Sequence, residues 1–332
     1  MAGVRALRKI QLGREGTAGT EANATSIWRG TGGLKDETQV VFPEENVGLL
    51  SGTDRAYIPK VGGVLTMDST PATFEQILHI LEAGVKTATP AQDGVGSGYV
   101  YAYPLPTTSA PTIKTYTLEG GDNQQEEQML YGFVEDFTLA GNAGEALTMA
   151  ANWRGRQVAT GSFTGALSVP TVEEILFSKG KLYIDAAGGT IGSTQKTATL
   201  LSATLAVKTG LMPVYTADGQ LYYTFVKSVA PEVTLNITFE HDSTSVAEKA
   251  AWRAGTGRLV RLLFEGSSLG TPGTTYSKKT LIIDLAGKYE TFDALGDQDG
   301  NNIVKATLRA RYSSTDSLFA EIKVVNELTT VP

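Results

Sequence analysis

The chain carries two histidines, His79 and His241. Histidine titrates near neutrality, so either could serve as a general base. The first falls within a helical pattern and the second just before another. A site shared between them would need a cleft between two halves of the chain, and a structural histidine in each place is the simpler reading. Adjacent carboxylates occur at Glu126-Glu127, Glu135-Asp136 and Glu173-Glu174. Neighbours on a strand point to opposite faces, so such a pair cannot act on one reacting centre. Asp297, Asp299 and Gly300 invite a calcium-loop reading. Aligning Gly300 with the EF-hand glycine puts Leu295 at the first ligand position and Ala306 at the bidentate one, so a hairpin turn fits better. Gly94-Val95-Gly96-Ser97-Gly98 lacks the Lys-Ser/Thr of a phosphate loop. No G-x-S-x-G elbow is read in the chain, so a serine-hydrolase motif is taken as absent. Tyr101, Tyr103 and Tyr222-Tyr223 could stack on bases or sugars, but strand aromatics more often fill cores and subunit contacts. Trp28, Trp153 and Trp252 are too scattered for a carbohydrate platform. No catalytic, cofactor-binding or metal-ligating residue is assigned, and the expectation is that the chain is not an enzyme and needs no cofactor.

Bulk properties narrow the class. The 332 residues have room for one large or two medium domains. They are 41% hydrophobic and 19% charged, a composition that buries a core. The 37 glycines suit short strands joined by tight turns. A net charge of −7 without a Lys/Arg cluster argues against tight nucleic-acid binding. With no cysteine, neither a disulfide nor a thiolate metal site can form. No apolar run reaches the roughly 18–20 residues of a membrane span, and MAGVRALRKIQLG lacks a signal-peptide core, so synthesis in a cytoplasm and no membrane partner are expected.

The elements that must position these residues are mostly strands. Near the C-terminus, Thr280–Asp284, Ile303–Tyr312 and Ser317–Val325 read as an antiparallel meander. In the middle run Val304, Ala306, Leu308, Ala310 and Tyr312 share one face, and Ile303, Lys305, Thr307, Arg309 and Arg311 the other. Phe74, Ile77, Leu78 and Leu81 fall on one helical stripe, with Thr70 as N-cap, Pro71 in the first turn and Gly84 as the stop. Ser245–Ala254 reads as a second helix, with Ser245 and Glu248 in capping-box spacing and Gly255 as its stop. Further strands are expected at Arg5–Gly13, Gln39–Phe42, Ala56–Asp68, Tyr99–Leu105, Ile113–Leu118, Gln128–Ala140, Ala146–Arg154, Lys179–Asp185, Ala198–Lys208, Gln220–Phe225, Glu232–Glu240 and Arg258–Phe264.

The order of events repeats. RKIQLGREGTAG from Arg8 is echoed by GKLYIDAAGGTIG from Gly180. VLTMDSTPATFEQI is echoed by NITFEHDSTSVAEKA, with Asp-Ser-Thr starting at Asp68 and Asp242. NAGEALTMAANWR is echoed by QDGNNIVKATLR, with Gly144 aligned on Gly300. The surplus of the first copy falls in the Gly/Pro-rich stretch Ala88–Ala110, where insertions cost little. The fold class expected is mainly β (α+β): two tandem units, each of two packed antiparallel β-sheets with a flanking helix. Their bounds are 1–156 and 179–332, with a linker over 157–178.

The block KTLIIDLAGKYETFDALGDQDGNNIVKATLRARY, the helix after Asp-Ser-Thr and the Thr/Gly-rich first loop together resemble the major tail tube proteins of long-tailed bacteriophages (siphophages), of the double-length kind. The resemblance implies tail-tube-like β-sandwich units, subunits joined into rings, and rings stacked into a hollow tail through which viral DNA passes into the host. It implies a trimer with pseudo-sixfold symmetry, or a hexamer, in each ring. The partners it implies are other copies of the chain, tail terminator, distal tail and tape measure proteins, and DNA in transient non-specific passage. The location it implies is the virion, after synthesis in the host bacterial cytoplasm. Loops Gly13–Gly33 and Glu44–Arg55 are candidates for reaching the next ring, and an acidic lumen would repel phosphate. An adhesin or receptor-binding module of a virion or pilus is the alternative.

Overall fold

The computed structural model describes residues 2–332. Strand accounts for 48% of the chain and helix for 8%, so the protein is mainly β, and the pairings between its strands are antiparallel. The first half runs β1 (Lys9–Arg14), β2 (Ser26–Ile27), β3 (Gly32–Asp36), β4 (Gln39–Val41), β5 (Tyr57–Lys60), β6 (Gly63–Pro71), α1 (Ile77–Gly84), β7 (Ala91–Gln92), β8 (Tyr99–Pro104), β9 (Tyr116–Gly121), β10 (Glu126–Asn142), β11 (Thr148–Gly155) and β12 (Val158–Thr160). Strands pair in the order β2-β1-β9-β10-β12 in one sheet and β3-β6-β11-β10 in another. The 17-residue β10 belongs to both. It bends between them at Tyr131, whose φ is 57°, and at Gly132, where a Cβ would sit 2.9 Å from the Tyr116 carbonyl oxygen.

The second half runs β13 (Gly180–Ala186), β14 (Gln195–Lys196), β15 (Leu200–Lys208), β16 (Leu211–Val214), β17 (Phe225–Ser228), β18 (Glu232–Glu240), α2 (Ser243–Arg253), β19 (Arg258–Ser268), β20 (Lys278–Phe292), β21 (Gly296–Gln298), β22 (Asn301–Ala310) and β23 (Ala320–Asn326). Here the orders are β14-β13-β19-β20-β23 and β15-β18-β22-β20. The long strand β20 again serves both sheets and bends at Gly287, where a Cβ would meet the Arg309 carbonyl oxygen at 2.4 Å. Each half also carries a separate two-stranded hairpin, β4–β5 and β16–β17.

Two pairings join the halves. β10 pairs with β15 over seven residue pairs, and β23 pairs with β8 over six. One hydrophobic core runs through both halves, from Leu12 and Trp153 to Leu285 and Val324. The stretch 157–178, expected as a linker, is tied down: β12 lies on β10, and Glu174 and Leu176 form bridges with Thr73 and Ala146.

The C-terminal strands follow their alternation. Val304, Ala306, Leu308 and Ala310 are buried in β22. Ile303, expected on the wet face, is buried as well, while Tyr312 lies beyond the strand and is exposed. Asp299 and Gly300 both have positive φ, 55° and 86°, and close a two-residue hairpin between Gln298 and Asn301. The helices depart from the expected caps. Thr70 and Pro71 end β6, because β11 continues to pair with them at Met149 and Thr148. The chain therefore turns into α1 only after Thr73, whose hydroxyl accepts from the Gln76 N–H at 3.1 Å. All eight residues of α1 are buried. α2 begins two residues earlier than expected. Asp242 is its cap and Ser245 the third helical residue, each accepting from the other's backbone N–H. Glu248 is thereby free to take Arg258 at 2.7 Å. Gln220–Phe225, expected as a strand, is largely loop, and β17 starts only at Phe225.

Candidate functional site

The residues that could do chemistry are dispersed. His79 is fully buried in α1, and His241 is exposed, with its backbone N–H on the Asn302 carbonyl. Tyr116 donates its hydroxyl to Glu82 Oε2 at 2.9 Å, so the 3.2 Å contact between His79 Nδ1 and that hydroxyl requires the proton on Nδ1. Burial, reinforced by the Arg14 charge, pushes the His79 pKa down to about 3, so the ring is neutral. The Gly94–Gly98 loop packs on the loop 270–276: a Cβ on Gly96 would sit 2.5 Å from Gly273 Cα, and Asp93 accepts the backbone N–H groups of Thr275 and Tyr276. Gly266-Ser267-Ser268-Leu269-Gly270 does have the G-x-S-x-G spacing that the sequence reading overlooked. Ser268 ends β19, however, and a loop follows where a nucleophile elbow needs a helix. Glu173 takes Ser267 and Lys279, and Glu126 takes the Phe163 N–H. Tyr101, Tyr103 and Tyr223 are buried, with Tyr223 in a small cluster beside Phe133 and Leu211. Among the described residues, no group of three or more His, Cys, Asp or Glu side chains could hold a metal ion. No helix among them is long and apolar enough to cross a membrane.

Each helix instead anchors a buried carboxylate to the sheets. Glu82 of α1 accepts Arg14 Nε and Nη2 at 2.8 and 2.6 Å together with the Tyr116 hydroxyl. Glu248 of α2 accepts Arg258 Nε. A carboxylate in such a place is tolerable only because charged and hydroxyl donors replace its water shell.

A second set of equivalences lies 155 residues apart. Gly132, Glu135, Phe137 and Arg154 stand to one another as Gly287, Glu290, Phe292 and Arg309. The two glycines mark the bends of β10 and β20. β10 has a bulge between Val134 and Asp136, opposite β11, and β20 has one between Tyr289 and Thr291, opposite β22. The glutamate in each bulge pairs across the ladder with the arginine, Glu135–Arg154 at 3.0 Å and Glu290–Arg309 at 2.9 Å. Sequence reasoning aligned this region on Gly144 and Gly300 instead. The signal that finds it is GFVEDF against GKYETF.

The sheet β3-β6-β11-β10-β15-β18-β22-β20 has an outward face of hydroxyls, amides and paired charges. Ser202 bonds Thr238, Thr307 bonds Asn236, and Asn152 bonds Asp136. Arg154 bridges Glu37 and Glu135, and Lys208 meets Glu232. Lys208 draws the Glu232 pKa below the usual carboxylate value. Arg154, Lys208 and Arg309 on this face each have a glutamate partner. At its two ends the ladder stops with strands open on one side. Among the described residues, no strand pairs with β3 opposite β6, and none pairs with β20 opposite β22 beyond Gly287.

No protein-family model matches this chain, and no curated protein matches it.

Proposed function

We propose that this chain is a structural assembly subunit built from two tandem copies of one two-sheet unit with a flanking helix. Copies would join edge to edge into rings, and rings would stack into a hollow tube that passes DNA, as in the tail of a long-tailed bacteriophage. The chain acts by shape and self-association, and no step of chemistry is assigned to it. One observation carries the reading: every pairing of β1, β2, β3, β6, β9, β10, β11 and β12 within the first half has a counterpart among β13, β14, β15, β18, β19, β20, β22 and β23. The strand β8, which has no counterpart, comes from the surplus segment of the first half. Counting β12 with its unit carries the first copy to residue 160. The β10–β15 pairing joins the two units sideways, and the same two edges recur unpaired at the ends of the chain. A head-to-tail junction of unlike edges closes into a ring or runs on indefinitely. Three two-unit chains would give a pseudo-sixfold ring. The outward face of the shared sheet suits a lumen. Among its cations Arg154, Lys208 and Arg309 are each paired with a glutamate, which leaves little to hold phosphates.

Negative-stain microscopy of the purified protein, with native mass spectrometry, tests this. Rings or hollow tubes built from trimers are expected. A discrete particle that remains monomeric at high concentration and binds glycans would replace the reading with that of an adhesin.

A further inference from the structure

We infer that the internal β10–β15 junction is the template, residue for residue, of the junction between two copies of the chain. This rests on the reading of the chain as an assembling subunit, and it names the contact. Within the chain, Asp136, Phe137 and Thr138 of β10 lie opposite Lys208, Val207 and Ala206 of β15. The counterparts of the β10 residues, 155 positions on, are Thr291, Phe292 and Asp293. Their ladder agrees: Thr138 lies opposite Ala150, and Asp293 donates its N–H to the carbonyl of Lys305, which stands 155 residues after Ala150. The counterparts of the β15 residues follow from β6 and β18. Leu34 lies opposite Leu65 as Leu205 lies opposite Leu235, which maps Lys208, Val207 and Ala206 onto Glu37, Asp36 and Lys35. The junction between copies therefore sets Glu37 opposite Thr291, Asp36 opposite Phe292 and Lys35 opposite Asp293.

Other features of the two edges bear on this register. Lys35 and Asp293 are both exposed and of opposite charge. In the internal junction, Thr209 donates its N–H to the carbonyl of the bulge residue Glu135 at 3.0 Å. At the open edge the corresponding Glu290 carbonyl is held by the Trp252 indole N–H at 3.3 Å, and the N–H of Thr38, the counterpart of Thr209, is held by Asp36 Oδ1 at 2.8 Å, so both must be released when the next copy docks. The internal junction is also capped by the 3-10 turn Phe177–Lys179. Phe177 N–H bonds the Glu145 carbonyl, Ser178 Oγ accepts the Gly144 N–H, and the Phe177 ring covers Gly141. The corresponding turn, Arg5–Leu7, has no buried residue, and Leu7 is 55% exposed. Beside it, next to β3, lies a cleft of about 560 Å³ lined by Arg5, Arg8 and Lys9 together with Asp68, Asp122 and Glu127. The β21–β22 hairpin that the template would seat there carries exposed Asp297 and Asp299. The three cations Arg5, Arg8 and Lys9 at one edge would thus meet the two aspartates of the hairpin at the other.

The chain's lack of cysteine makes the test direct. Lys35→Cys and Asp293→Cys are introduced separately, and the two proteins are mixed, assembled and oxidised. A disulfide needs Cα atoms within about 7 Å, so only directly opposed residues cross-link efficiently. Disulfide-linked dimers are expected from this mixture, and few from Lys35→Cys mixed with Thr291→Cys. In parallel, Lys35→Asp or Asp293→Lys alone should raise the concentration needed for assembly about tenfold, and the double reversal should restore it. If the wild-type protein assembles but the opposed cysteines do not link, or both single reversals assemble like wild type, the register is wrong and the assembly reading stands. If the wild-type protein stays monomeric, the assembly reading itself fails.

Discussion

Replacing Arg14 by methionine should cost the fold about 3 kcal/mol. The substitution keeps most of the stem and removes the guanidinium, which leaves the fully buried Glu82 carboxylate with only the Tyr116 hydroxyl as a side-chain donor. Breaking a buried ion pair from one side typically costs about 3–5 kcal/mol, because the remaining charge keeps its desolvation penalty. The lower end applies here: the Arg14 side chain is 30% exposed, so water can reach part of the vacated space. Glu82→Gln removes the charge and should cost only about 1 kcal/mol, since the amide oxygen still accepts from Tyr116 and Arg14 can turn to solvent. The double variant should resemble Glu82→Gln alone, a coupling of about 2–3 kcal/mol. Urea unfolding followed by tryptophan fluorescence reads this out. With a slope of about 3 kcal/mol per molar, Arg14→Met should lower the midpoint by about 1 M. A shift below about 0.3 M, or a double variant whose loss is the sum of the singles, would refute the claim that this pair pins α1 to the sheet.

Acid should destabilise the protein through His79. The folded state holds this ring neutral down to about pH 3, whereas the unfolded chain takes up the proton near 6.5. Its contribution is therefore complete above pH 6.5 and is lost towards pH 3 at up to about 1.4 kcal/mol per pH unit, and His79→Phe should flatten that slope in thermal melts across this window. Asp242→Ala removes the reciprocal cap of α2 and should cost about 1 kcal/mol by the same unfolding assay. Asp93→Ala strands the backbone N–H groups of Thr275 and Tyr276, so limited proteolysis should cut within 270–276 faster than in the wild-type protein. An unchanged digestion pattern would show that Asp93 does not hold that loop.

Local chemistry made much of the fold legible. The alternation of β22, the Asp299-Gly300 turn and the strand β18 follow from side-chain period and turn residues alone. Where sequence reasoning slipped, a distant partner had overridden a local signal. Thr70-Pro71 looks like a helix start. Pro71 can nonetheless end β6, because β3 has already left that side at Met67 and no N–H is required there. Asp68 and Asp242 share an Asp-Ser-Thr motif, yet the first stays in a strand and only the second caps a helix. The joins β10–β15 and β8–β23 were not legible, because period two says which face of a strand is buried and not which strand lies beside it. The bulge glutamates were present in the letters as GFVEDF and GKYETF. They went unseen because the alignment was set on the hairpin glycines, one residue out of step.

In the assembled protein the open edges of β3 and β20 are expected to meet between copies. A cryo-EM reconstruction of the assembled protein tests this directly. The expected map is a ring of three chains with six similar lobes, in which β3 of each chain extends the sheet beyond β20 of its neighbour. A map in which these two edges face solvent, or a protein that remains a single chain at the concentrations used for assembly, would contradict it.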